Sequence, residues 1–163
     1  MWTKEPYFLS VACSLADFFL KQLSSATHHH PYVPLWDFDD TAPPYLRDTS
    51  AGMIAANGIL ILHQAMSTSI GENSSPYLDA VLRIVAETID LSFANDPAPF
   101  VLRQSDEHKV TIDVEGTKFA SILQNATANN NEFAILRYSD HGLVYADYYF
   151  LELGNKLLRM ALV

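Results

Sequence analysis

The chain has 163 residues and sets ten Lys and Arg against nineteen Asp and Glu, a formal net charge of −9. Such a surface repels nucleic acid and anionic membranes, which excludes both as expected partners, and a polyanionic substrate would need a local basic patch built from few residues. Hydrophobic residues make up 49% and charged residues 18%, the balance of a packed globular protein and not of a disordered one. The length supports a real core, and residues 1–163 read as a single domain.

Cys13 is the only cysteine, so no intrachain disulfide and no oxidising compartment is expected. Among Val11, Ala12 and Leu15 it reads as a small core residue. No apolar run reaches the ~20 residues of a membrane span. The opening "MWTKEPYFLSVACSLADFFL" loosely mimics a signal peptide. It has no basic start and Asp17 interrupts it, so it is expected to be a helix of a mature, cytoplasmic protein.

In chain order, residues 6–23 place Phe8, Leu9, Ala12, Leu15, Ala16, Phe19 and Leu23 at helical spacing, with Pro6 in the first turn. Residues 24–48 form a long polar, proline-bearing connection. Residues 49–66 are apolar nearly all round, which predicts a buried helix, and Asp48, Thr49 and Ser50 are good capping residues at its start. Residues 76–92 are amphipathic, with Tyr77, Leu78, Val81, Leu82, Val85 and Ile89 on one face. Residues 93–116 read as a loop with a short hairpin around "KVTIDVEG". A short helix is expected over 117–125, then an asparagine-rich turn, then a second buried helix over 142–161. Outer, inner, outer, loop, inner is the order of helical hairpins packed around a common axis.

Several of these segments resemble one family. "WTKEPYFLSVACSLADFFLKQL", "VPLWDFDD", "RDTSAGMIAANGILIL", "ATANNN" and "GLVYADYYFLELGNKLL" are similar, in that order, to the C-terminal half of unsaturated glucuronyl hydrolases, glycoside hydrolase family 88 of the six-hairpin glycosidases. The resemblance implies an all-α fold, an incomplete (α/α)6 barrel of about half the ring. It also implies a carbohydrate role. In the family an aspartate protonates the vinyl ether of an unsaturated uronic acid at the non-reducing end of an oligosaccharide. Water adds across the double bond, and the hydrated sugar opens and releases its neighbour. This chemistry differs from displacement between two carboxylates at the anomeric carbon, and it implies no cofactor. The family's two principal aspartates lie in its N-terminal half, and the chain starts where the next outer hairpin begins. No residue here matches that catalytic pair, so no catalytic residue is assigned.

Several candidate sites are read against this background. Asp37 and Asp39 alternate beside Trp36 and Phe38. They can share a proton as an acid/base pair, or serve structure, accepting backbone donors or pairing with Arg47. Asp48 or Thr49 can cap the buried helix. Left uncapped, the same helix start can receive a substrate carboxylate, with Arg47 as its bidentate partner. His28, His29 and His30 are adjacent rather than convergent, and no metal site is expected from them. His63 reads as a hydrogen-bonded core residue. Asn125 stands where relatives often carry histidine, so it can hydrogen-bond but not titrate near neutrality; with Thr127 it also forms a glycosylation sequon. "YSDHGLVYADYYF" gathers Tyr138, Asp140, His141, Tyr145, Asp147, Tyr148 and Tyr149. It reads either as a sugar-stacking surface or as an aromatic helix core with Asp140 as its cap; Asp140 and His141 can also be read as a catalytic dyad, but no nucleophile accompanies them.

The expectation is therefore the C-terminal portion of a glycosidase, inactive alone. Its substrate-facing residues are Trp36, Asp37, Arg47, Asp48, Asn125, Tyr145 and Tyr148, and its ligand is an oligosaccharide bearing an unsaturated uronic acid. The alternative is a helical interaction or carbohydrate-binding protein. Exposed inner helices would then drive self-association or pairing with an N-terminal half.

Overall fold

The computed structural model describes residues 5–40, 43–70, 75–94, 100–106, 109–114 and 121–162. Four helices and one hairpin follow in the order α1 (Pro6–Ser25), α2 (Thr49–Ile70), α3 (Pro76–Ser92), β1 (Phe100–Asp106), β2 (Lys109–Val114) and α4 (Val144–Arg159). The mostly helical architecture is the expected one. Pro6 and Pro76 open α1 and α3 at positions where a missing N–H costs nothing. The Ser75 hydroxyl caps α3 by accepting from the Leu78 N–H.

The helix directions follow from three contacts at nearly constant sequence offset. Asn57 Nδ2 donates to the Tyr149 carbonyl, Lys156 Nζ donates to Asn57 Oδ1, and Gln64 Nε2 reaches Met160 Sδ. Helices α2 and α4 therefore run parallel, starting at the same end. Helix α3 runs the other way, since His63 near the far end of α2 meets Ser75 just before α3 begins, at 2.8 Å. Cys13, early in α1, lies 4.0 Å from Met66, late in α2, so α1 also opposes α2. Two parallel inner helices with two opposed outer ones make two hairpins of an (α/α) ring.

The core is centred on α2, which packs against all three other helices. Met53, Leu60, Val81, Ile84, Leu123 and Leu153 are essentially dry. Helix α1 is tied to α3 by the Tyr77 hydroxyl, which donates to Asp17 at 2.9 Å. Burial and this hydrogen bond push the Tyr77 phenol well above its ordinary value. His63 is buried and bonded to Ser75 and Ser67, as a core histidine.

Three expectations need correction. Helix α4 is not buried all round: Ala146, Leu153 and Leu157 enter the core, while Val144, Tyr145, Tyr148, Leu151 and Leu158 stay exposed. On the amphipathic α1, Phe8 and Leu15 belong to the apolar face, yet both stand in solvent. Apolar composition reports the need for cover; it does not say whether this chain supplies the cover. Third, residues 121–125 form no helix. Leu123 bridges Phe93, and the Gln124 N–H donates to the Ser92 carbonyl, so side-chain and sheet-like partners take the donors a helix would use. Residues 117–120 lie outside the described residues. The hairpin pairs Phe100 with Val114 through Gln104 with Val110, and its register shifts before Asp106 meets Lys109. No described helix is long and apolar enough to cross a membrane.

Candidate functional site

Helices α2 and α4 start at one end of the molecule, and the segment 122–128 ties the two starts together. The Thr49 N–H donates to the Asn125 carbonyl and its hydroxyl to the Gln124 carbonyl. The Asp147 carboxylate, in the first turn of α4, accepts from the Ile122 and Leu123 N–H groups at 3.0 and 2.9 Å. Sequence reading did not assign Asp147 this role, because its partners lie more than twenty residues away.

The start of α2 is closed by the chain's own groups. Asp48 Oδ1 accepts from the Ser50 N–H and hydroxyl at 3.0 and 2.6 Å, the geometry of an N-cap. Of the two readings of this helix start, the structure has the capped one. Arg47 does not take up the pairing with Asp37 or Asp39 that was one of the alternatives. Its guanidinium donates to the carbonyls of His29, His30 and Val33, pinning the preceding loop against the helix. Burial pushes its pKa down and the Glu87 carboxylate pulls it back up; an arginine remains charged throughout.

Trp36 is half-buried, and its backbone N–H donates to the Leu46 carbonyl beside the Leu35–Arg47 bridge. Asp37 is exposed and its carboxylate accepts from the Asp39 N–H at 2.9 Å. That is an Asx turn, with the two acids joined through backbone and not through a shared proton. The three histidines do not converge. His28 stacks on Tyr45, His29 meets His30 edge to face at 4.4 Å, and His30 pairs with Asp90 at 3.6 Å. Among the described residues no group of three or more His, Cys, Asp or Glu could hold a metal ion.

Asn125 is the polar knot of this end. It sits at φ 56°, the left-handed region that Asn enters more readily than most residues. Its side-chain NH2 donates to Asp140 Oδ1 and its side-chain Oδ1 accepts from the Ser92 hydroxyl, both at 2.9 Å. Asp140 is itself at φ 53°, with its N–H on the Thr127 hydroxyl. Asp140 thus holds Asn125 instead of capping α4, whose cap residue Leu143 makes no side-chain bond. The sequon amide is occupied by the same contact. His141 Nδ1 lies 2.6 Å from the Gly142 carbonyl, which makes that nitrogen the donor. Asp140 and His141 therefore form no dyad. From Ala126 to His141 the chain doubles back as a narrow ribbon, with bridges at Ala126–His141 and Asn129–Tyr138.

Tyr145 and Tyr148, on the first turns of α4, are exposed, and the Tyr148 ring meets Tyr149 edge to face at 5.0 Å. The structure thus brings Arg47, Asp48 and Asn125 to one end, next to the α4 start that carries Tyr145 and Tyr148. Its acids and amides are mostly committed to backbone and to one another, and its phenols are open.

A scan of protein-family models finds no match to the chain, and a search of curated proteins finds none. Among solved structures the chain is similar to unsaturated glucuronyl hydrolases. One, from Bacillus sp. GL1, is described as responsible for the degradation of glycosaminoglycan. Another is a substituted variant with dGlcA-Glc-Rha-Glc. Each match has a TM-score of 0.63 at 20% sequence identity, and covers 97% of this chain but 35% of the other. The chain thus spans about a third of the length of the structures it matches, the share that two hairpins take of six. It has the six-hairpin glycosidase fold over that span.

Proposed function

We propose that this chain is a portion of an unsaturated glucuronyl hydrolase-like glycosidase and forms part of the wall of its sugar cleft, at the end where α2 and α4 begin. The observation that carries the reading is the shared starting end of two parallel inner helices. One brings Trp36 on its leading loop, the other brings Tyr145 and Tyr148. Aromatic rings and phenols at the mouth of such a ring suit the faces and hydroxyls of a sugar. Arg47, Asp48 and Asn125 act one step behind, fixing the loops that carry the rim. Asp37 adds an exposed acceptor. The ligand class is an oligosaccharide ending in an unsaturated uronic acid. The likeness to a structure with dGlcA-Glc-Rha-Glc supports this class.

Turnover by the chain alone is not expected. Its carboxylates at this end are an Asx turn, a helix cap, a clamp on Ile122 and Leu123, and the partner of Asn125. None resembles the family's proton donor. Incubating the purified chain with an unsaturated uronyl disaccharide should leave the double bond intact. Hydrolysis lost in Asp37→Asn or Asp140→Asn would replace this reading with that of a self-contained enzyme. A second reading, a non-catalytic protein that pairs through its exposed helices, is favoured by the apolar faces that α1 and α4 leave in solvent.

A further inference from the structure

The last turns of α1 and the first turns of α3, with Tyr32 from the loop after α1, line an open groove of about 350 Å³. Sites for small molecules begin at about 300 Å³. The groove shares no residue with the end where α2 and α4 begin. Leu20, Pro76 and Ala80 give it apolar walls, and Lys21, Asp79 and Arg83 supply its charges.

The Arg83 guanidinium lies over the Tyr32 ring, 4.2 Å from the centroid, and its Nη1 donates to the Tyr32 hydroxyl at 3.1 Å. Tyr32 is itself held, its backbone N–H donating to Glu87 at 2.7 Å. Stacking and this chain of bonds set the arginine in advance, so little side-chain freedom is left to lose on binding. No described residue takes up the other N–H groups of its fork. Lys21 is exposed, and its ammonium has no partner among the described residues. The Asp79 carboxylate, one helical turn before Arg83, has none either. Two uncommitted cations on one groove stand out against a chain of net charge −9.

We propose that this groove binds a monosaccharide-sized ligand with one anionic group, a sugar acid or a sugar phosphate. The fork of Arg83 and the ammonium of Lys21 take the oxyanion. Asp79 accepts from ring hydroxyls, and the apolar walls meet the C–H face of the ring. Asp79 also limits the ligand to one anionic group, because a second would stand against its charge. The inference rests on this groove and not on the cleft reading.

Two-dimensional NMR of the chain at low salt tests it, with glucuronate, glucose 6-phosphate, glucose and inorganic phosphate as separate probes. At least one of the first two should shift the backbone amides of Lys21, Tyr32 and Arg83. It should bind at least about tenfold more tightly than glucose or inorganic phosphate, and which of the two does so identifies the anion. Lys21→Gln, which breaks no contact in the fold, should weaken that binding at least about threefold. Asp79→Asn should narrow the gap between the sugar ligand and inorganic phosphate. Glucose or inorganic phosphate binding equally well, unchanged affinity in Lys21→Gln, or no shift with any probe at millimolar concentration would overturn the proposal. Shifts confined to Trp36, Tyr145 and Tyr148 would overturn it too while leaving the cleft reading in place, so the two fail separately.

Discussion

Single side chains hold the candidate end together, and their effects are separable. Asp147 satisfies two backbone donors at once. In Asp147→Ala both lose their partner, and unfolding in urea should come earlier by about 2–6 kcal/mol, each stranded donor costing about 1–3 kcal/mol. Asp147→Asn keeps an acceptor oxygen and should lose about half as much. Tyr77 gives a pH signature. Its folded-state pKa is raised, first by burial and then by its bond to Asp17, so the folded protein holds this proton more tightly than the unfolded chain. The associated stability is complete below the unfolded tyrosine value of about 10 and is lost as the pH climbs beyond it. Urea midpoints from pH 8 to 11 should fall for the native chain, and the fall should be shallower in Tyr77→Phe. Gly52 is a third test. A Cβ there would lie 3.0 Å from Pro34 Cδ, and Gly52→Ala should cost about 1–3 kcal/mol by overpacking, despite the helix propensity it adds.

At the scale of elements, the helix starts were the most legible part of the sequence. Pro6, Pro76, Ser75 and Asp48 carry local chemistry that needs no tertiary partner. Asp48→Ala should therefore cost about 1 kcal/mol, the usual worth of an N-cap, with the loss visible in thermal melts. What was not legible is whatever joins distant residues. The Asn57 amide bonds Met53 and Tyr149 and receives Lys156, but nothing near Asn57 in the sequence points to α4. Asn57→Leu should remove the cross-helix bonds to the Tyr149 carbonyl and to Lys156, which keeps its ion pair with Glu152 at 3.1 Å, lowering stability by about 1 kcal/mol or more. The segment 121–125 failed as a predicted helix for the same reason: its donors are claimed by Asp147 and Ser92. At the candidate site, Trp36, Asn125, Tyr145 and Tyr148 could be named from the sequence. Their assignment to rim or support could not, because it depends on which donors the backbone has already taken.

For the molecule as a whole, the architecture is an arc of two hairpins, and its chemistry follows from that incompleteness. An arc buries α2 but leaves α1 and α4 each with one dry face and one wet one. Sequence periodicity identifies apolar faces; it does not tell a face covered within the chain from one that awaits a neighbour. The same arc places the starts of both inner helices at one end, where Tyr145 and Tyr148 stand exposed beside a set of committed polar groups. The most direct test is a two-dimensional NMR titration of the purified chain with an unsaturated uronyl disaccharide. The account predicts shifts at the Trp36 indole, the Asn125 side-chain amide and the backbone amides of Tyr145 and Tyr148, with the disaccharide recovered unchanged. Shifts confined to other surfaces, no shifts at saturating sugar, or release of the second sugar would contradict it.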